Sequence, residues 1–242
     1  MNNDFLIGKY LVKDKQGEIY KMEVGYDEYA ENPRNWDNVA TFMSWDDRVE
    51  FDQNNRELDP VSQVLGLFNK LGDNRTVECP SWAEFHKLVD ELNQRDDIVC
   101  VILELYDHSG LALGDYAYHS FPDRDWDCSR VGLAYITKET ALKEFCNITE
   151  ADWKQRALEC IHNEIKTQSI YLEGNVLAYQ LFESHHKTVE IYTCVDHGEK
   201  PVVEEKEFDD WEEIESIAGF YAESVEQLIE SEGYELIKEL ED

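Results

Sequence analysis

Carboxylates are the most concentrated reactive groups in this chain. Glu204, Glu205, Glu207, Asp209, Asp210, Glu212, Glu213 and Glu215 form one dense run, and Glu223, Glu226 and Glu230 follow at three- and four-residue steps. On a helix such steps set charges about 4.5–6 Å apart along the axis, and rows of like charge are destabilising. A chain selected only to fold would intersperse more lysines. A highly soluble surface is the competing explanation, and adaptation to high salt is another. Against the latter, Lys outnumbers Arg by 14 to 8 and the acidity is concentrated in one third of the chain.

Other constellations point to catalysis less directly. Asp107-His108-Ser109 contains the residue types of a hydrolase triad, but triads are assembled from separate segments. Three consecutive residues leaving a strand read as a turn before Gly110. His185-His186, with Glu183 and Glu190 nearby, reads as a surface turn, because neighbouring strand residues face opposite ways and would not chelate one ion. Asp123, Asp125 and Asp127 alternate and could hold a divalent cation. A calcium loop, however, wants Gly at its sixth position and Glu at its twelfth, where Cys128 and Ala134 stand. Six cysteines, at 79, 100, 128, 146, 160 and 194, form no CxxC, and the closest two, Cys146 and Cys160, have thirteen residues between them. Zinc sites of the ribbon and finger type need tighter pairs, so free thiols in a reducing compartment are expected. No metal and no cofactor is expected.

Composition limits the classes of partner. The 242 residues hold 54 Asp+Glu against 22 Lys+Arg, a formal charge of −32, yet aromatics make up 12%. That aromatic content excludes a charge-extended disordered chain. The charge opposes direct binding of nucleic-acid phosphates or anionic membranes, and no apolar run approaches the ~20 residues of a membrane span. Met1-Asn2-Asn3-Asp4 has no basic segment leading into an apolar core, so a cytoplasmic protein is expected. What an acidic surface attracts is cations, or proteins carrying a basic groove.

The elements that must position these groups follow from periodicity. Phe5–Val12 and Glu18–Tyr26 read as a hairpin around Lys13–Gly17, and residues 27–59 read as long loops. Val61–Leu71 is a predicted helix. Ser81-Trp82-Ala83-Glu84 opens another by a capping box, with Trp82, Phe85, Leu88, Val89 and Leu92 on one face. Ile98–Tyr106 is apolar for long enough to be a central strand, with Cys100 a buried thiol within it. Val131–Ile136 follows as a strand, Lys138–Cys146 as a short helix, and a long helix capped at Thr149 presents Trp153, Ala157, Ile161 and Ile165. Asn175–Phe182, Thr188–Val195 and Pro201–Glu207 complete the strands, with His197-Gly198 as a turn. From Glu199 onward the chain holds 17 acids and 3 bases. There the spacing of Trp211, Ile214 and Ile217, of Val225, Leu228 and Ile229, and of Ile237 and Leu240 predicts helices, with a capping box at Ser224–Gln227. The expectation is an α+β fold with a mixed, largely antiparallel sheet and packed helices: a core domain over 1–198, and an acidic helical region over 199–242 packed on it.

Four blocks carry a resemblance: Glu31-Asn32-Pro33-Arg34-Asn35-Trp36-Asp37-Asn38, Tyr106-Asp107-His108-Ser109-Gly110, Trp126-Asp127-Cys128-Ser129-Arg130-Val131-Gly132 and Tyr171-Leu172-Glu173-Gly174-Asn175-Val176. In this order, over residues 23 to 183, the chain is similar to a family of small acidic proteins of phages, plasmids and integrative elements, and Gly219-Phe220-Tyr221 is a further block. The resemblance implies a mobile-element origin and supplies no catalytic residue. The chain departs from the pattern at Ser44-Trp45-Asp46-Asp47, which replaces a stretch richer in Cys and His, and in extra sequence between Phe182 and Gly219, where the acids are enriched.

Duplex DNA carries about one charge per 1.7 Å of axis, so thirty-two charges match roughly 54 Å of duplex. A compact chain of this length is about 45 Å across. The leading expectation is therefore a mobile-element inhibitor that mimics nucleic acid and blocks the basic groove of a host defence nuclease, of the CRISPR or restriction kind, rather than an enzyme. Its binding residues would be the eight acids of 204–215 with Glu223, Glu226, Glu230, Asp46 and Asp47, anchored by Trp45 and Trp126, which lack the apolar periodic context of Trp82 or Trp153. The alternatives are a divalent-metal hydrolase using Asp107, His108 and Asp123, Asp125 and Asp127, and an acidic scaffold of the element's own life cycle.

Overall fold

The computed structural model describes residues 5–193 and 202–240. The fold is α+β, and the chain divides into two compact units: residues 1–30 with 174–242, and residues 31–173.

The continuous unit is built around the most apolar strand, β5 (Ile98–Asp107), which lies in a sheet of order β4-β3-β7-β5-β6. The other strands of that sheet are β3 (Thr41–Ser44), β4 (Gln53–Asn54), β6 (Leu111–Asp115) and β7 (Cys128–Thr137), with only the β3–β4 pair parallel. Both faces of β5 are buried because helices cover both sides of the sheet. Ile98, Cys100 and Ile102 pack with Val64, Phe68, Phe85 and Leu92 of α1 (Pro60–Lys70) and α2 (Trp82–Gln94). Val99, Val101, Leu103 and Leu105 pack with Trp153, Ala157, Ile161 and Ile165 of α5 (Trp153–Leu172). A strand with two dry faces must read as a continuous apolar run. The helix starts also behave as their sequences dictate: Asp59, Ser81 and Thr137 each accept a backbone N–H of the first turn of α1, α2 and α4 (Lys138–Glu144). The short α3 (Arg124–Asp127) precedes β7. At Gly132 a β-carbon would stand 2.0 Å from the Met43 carbonyl oxygen, so only glycine lets β3 and β7 approach.

The discontinuous unit is an antiparallel sheet of order β10-β1-β2-β8-β9, from β1 (Leu6–Lys13), β2 (Ile19–Tyr26), β8 (Leu177–Thr193), β9 (Val202–Phe220) and β10 (Glu235–Leu240). One face buries Tyr10, Val12, Met22, Val24, Leu177, Tyr179 and Leu181 against Leu228 and Ile229 of α6 (Val225–Ser231).

The acidic C-terminal region is thus not helical as expected. Among the described residues of this region α6 is the one helix, started by Ser224 accepting the Gln227 N–H, and β9 and β10 are strands. The error has a physical source. The ladder between β8 and β9 shifts at Leu181/Phe182, where Glu215 and Glu213 are the successive partners and Ile214 is the extra residue. The three-residue spacing of Trp211, Ile214 and Ile217 imitates a helical stripe, but Ile214 is the bulged residue and the added residue shifts which side chains share a face. Trp211 pairs with Ser184 and Ile217 with Tyr179, on opposite faces of the sheet. β9 and β10 accordingly share their sheet with β1, β2 and β8, and the expected boundary at 198/199 falls outside the described residues. His185 and His186 lie within β8, not in a turn, and the expected turn at His197-Gly198 lies outside the described residues. Among the described residues no helix is long and apolar enough to cross a membrane.

Candidate functional site

The acidic run is carried by β9, the last strand of its sheet. β2 pairs with β8 only over Leu177–Glu183, whereas β9 pairs with β8 along Leu177–Thr193. Beyond Glu183 the structure is a two-stranded ribbon. Along β9, seven of the ten residues 204–213 are acids: Glu204, Glu205, Glu207, Asp209 and Asp210 on the ribbon, and Glu212 and Glu213 where β2 also pairs with β8. At about 3.4 Å per residue these ten span about 31 Å, a mean of roughly 4.4 Å per charge. One strand of DNA carries a phosphate about every 3.4 Å. An extended backbone spaces these acids along the strand, alternating between its two faces, whereas a helix would have wound them around its axis.

Glu183 and Glu212 are exposed and lie directly opposite each other in the ladder, an arrangement that costs stability. His185 Nε2 stands 3.4 Å from Glu212. Gln180 Nε2 donates to Glu213 at 2.9 Å, and Lys21 stacks over Phe182 at 4.0 Å with Trp211 at 5.9 Å. On the face that Glu183 and Glu212 share, the buried Tyr179 hydroxyl lies 3.2 Å from Glu215 and 2.9 Å from Glu232. Burial and then the Glu232 carboxylate push its ionisation far above the ordinary tyrosine range. The other three C-terminal candidate acids, Glu223, Glu226 and Glu230, lie off the ribbon. Glu226 and Glu230 belong to α6, where hydrogen bonds from its own N–H and from Ser224 lower the Glu226 carboxyl, and Glu223 precedes that helix.

The four expected residues of the continuous unit separate into two kinds. Asp46 is held by Arg48 through contacts of 2.7 and 2.9 Å, and these bonds lower its carboxyl below the usual range. Its charge is spent within the fold. Trp45 donates its indole N–H to the Arg130 carbonyl at 2.7 Å and packs edge-on against Phe85. It is a packed residue rather than a free anchor. Asp47 is exposed, and Trp126 is 88% exposed on α3.

Comparison with protein-family models, curated proteins and solved structures finds no match. Geometry alone must therefore judge the hydrolase alternative. His108 Nδ1 meets Asp127 at 3.0 Å, but Asp107 turns to Arg48 at 3.1 Å. Ser109 occupies a left-handed turn conformation at φ 63°, and Asp123 another at φ 49° before α3. Among the described residues no three His, Cys, Asp or Glu side chains group as metal ligands. The five described cysteines are free, and burial pushes Cys100 and Cys160 up to about 12.

Sequence reasoning missed two polar constellations. Arg34 is buried, with its guanidinium forked onto Asp52 at 2.6 and 3.0 Å and bonded to Glu164 at 2.7 Å. Glu164 also accepts the Val39 and Ala40 N–H groups. Asp115, 6% exposed, meets His162 Nε2 at 2.8 Å and lines a cavity of about 580 Å³ between α2 and α5. Both unite residues far apart in the chain, and no local pattern announces them.

Proposed function

We propose that this protein is a mobile-element inhibitor that blocks the basic nucleic-acid-binding groove of a host defence nuclease by presenting the β8–β9 ribbon in place of nucleic acid. The observation that carries the reading is the linear array on β9, whose charge spacing approaches that of a single DNA strand. The unequal distribution of charge supports it. The unit that bears the ribbon has a formal charge of −18 in 99 residues and no arginine, whereas the continuous unit holds all eight arginines and a charge of −14 in 143 residues. Trp126, on the continuous unit, is one of several exposed aromatics of the kind that serve as desolvated anchors.

Cleavage of plasmid DNA by a restriction nuclease and by a guide-RNA nuclease, titrated with the protein at 50 and 200 mM salt, tests the reading. Inhibition that weakens at least tenfold with salt is expected, as is its loss when Glu204, Glu205, Asp209, Asp210, Glu212 and Glu213 are replaced together by lysine. Undiminished inhibition by that variant, with native circular dichroism, overturns it.

A further inference from the structure

β9 is an edge strand of nineteen residues, and among the described residues β8 is the one strand that pairs with it. The opposite edge of the sheet, β10, has six residues. A long open edge offers a row of backbone N–H and C=O groups to any extended chain, and folded proteins ordinarily shorten, twist or cover such edges. Here the edge is irregular only near its C-terminal end, where the register shifts at Glu213/Glu215 and at Ala218/Phe220. From Val202 to Glu213 the ladder is regular, and this is the stretch that carries the seven acids.

We propose that the Val202–Glu213 edge of β9 binds an extended, lysine- or arginine-rich segment of a partner protein by strand addition. The proposal deepens the inhibitor reading and rests on it, since it names the form of the basic surface that the ribbon meets. Strand addition supplies affinity through main-chain hydrogen bonds and selectivity through alternate side chains. The side chains of an added strand lie beside those of β9, where opposite charges attract and like charges repel. A second copy of this chain is excluded because its own acids would face these, whereas a basic strand gains at every acidic position. One set of residues thus keeps the edge from pairing with itself and selects the strand that it admits.

The test uses the full-length protein and two ten-residue probes of identical charge: an acetylated, amidated peptide of alternating Lys and Val, and the same peptide N-methylated at every residue. Titration calorimetry gives the affinities, and hydrogen exchange read by mass spectrometry reports on the amides of 202–220. The proposal expects the unmodified peptide to bind at least about tenfold more tightly and to slow exchange along β9. Equal affinities overturn strand addition and leave the charge-based inhibitor reading standing. Failure of both peptides to bind also overturns it, while the nuclease titration with the lysine variant decides the inhibitor reading separately.

Discussion

Arg34 shows what one buried charge does in this fold. Its guanidinium is enclosed with two carboxylates and lies 3.9 Å over the Phe42 ring. Arg34→Ala would leave Asp52 and Glu164 facing each other without a cation, and we expect a loss of about 3–5 kcal/mol in urea denaturation of the continuous unit. The two tryptophans separate by the same logic. Trp45→Ala removes a hydrogen bond and a ring contact and should lower the melting temperature by several degrees. Trp126→Ala should leave it nearly unchanged and, under the inhibitor proposal, should speed dissociation from any nuclease that the protein is found to bind. Tyr179 adds a pH dependence whose sign is determined by its environment. Its ionisation is raised in the folded protein, so above pH 10 the unfolded chain releases a proton that the native state retains. Stability then falls with rising pH, by up to about 1.4 kcal/mol per unit for that proton. Melting curves between pH 9 and 11 should show a shallower decline for Tyr179→Phe than for the native chain.

Elements were legible where one residue period held without interruption. The apolar run at Ile98, the stripe of Trp153, Ala157, Ile161 and Ile165, and the capping serines at 81 and 224 all appear as read. The reading failed where a bulge changed the period within a strand, as at Ile214. It failed also where an element was too short for any period to register, as with β4 and β6. The acids of the candidate surface were visible as a run of letters, but their linear presentation depended on helix or strand, and that choice was misread. Strand pairing itself yields a prediction. Glu183→Gln removes one member of the directly opposed Glu183–Glu212 pair, and we expect a gain of about 0.2–1 kcal/mol in chemical denaturation, largest at low salt. A loss of stability would show that the pair is compensated by contacts beyond His185.

At the scale of the whole molecule, a charge of −32 acts against compaction. Raising sodium chloride from 10 to 500 mM shortens the screening length from about 30 Å to a few ångströms. The melting temperature should rise over that range, and a flat response would mean that the carboxylates repel one another less than their number suggests.

The order of synthesis gives the divided sheet a temporal consequence. β1 and β2 leave the ribosome first, yet their next sheet partner, Leu177, follows Tyr26 by about 150 residues. At roughly 5–20 residues per second the hairpin waits about 8–30 s for β8, and a lone hairpin is marginal in water. Residues 31–173 meet no such delay, because every strand of their sheet is encoded within that stretch. Ribosomes stalled beyond residue 210 should therefore carry a protease-resistant 31–173 and a sensitive 5–30 segment, and the β8–β9 ribbon can be completed only after Phe220 has been made.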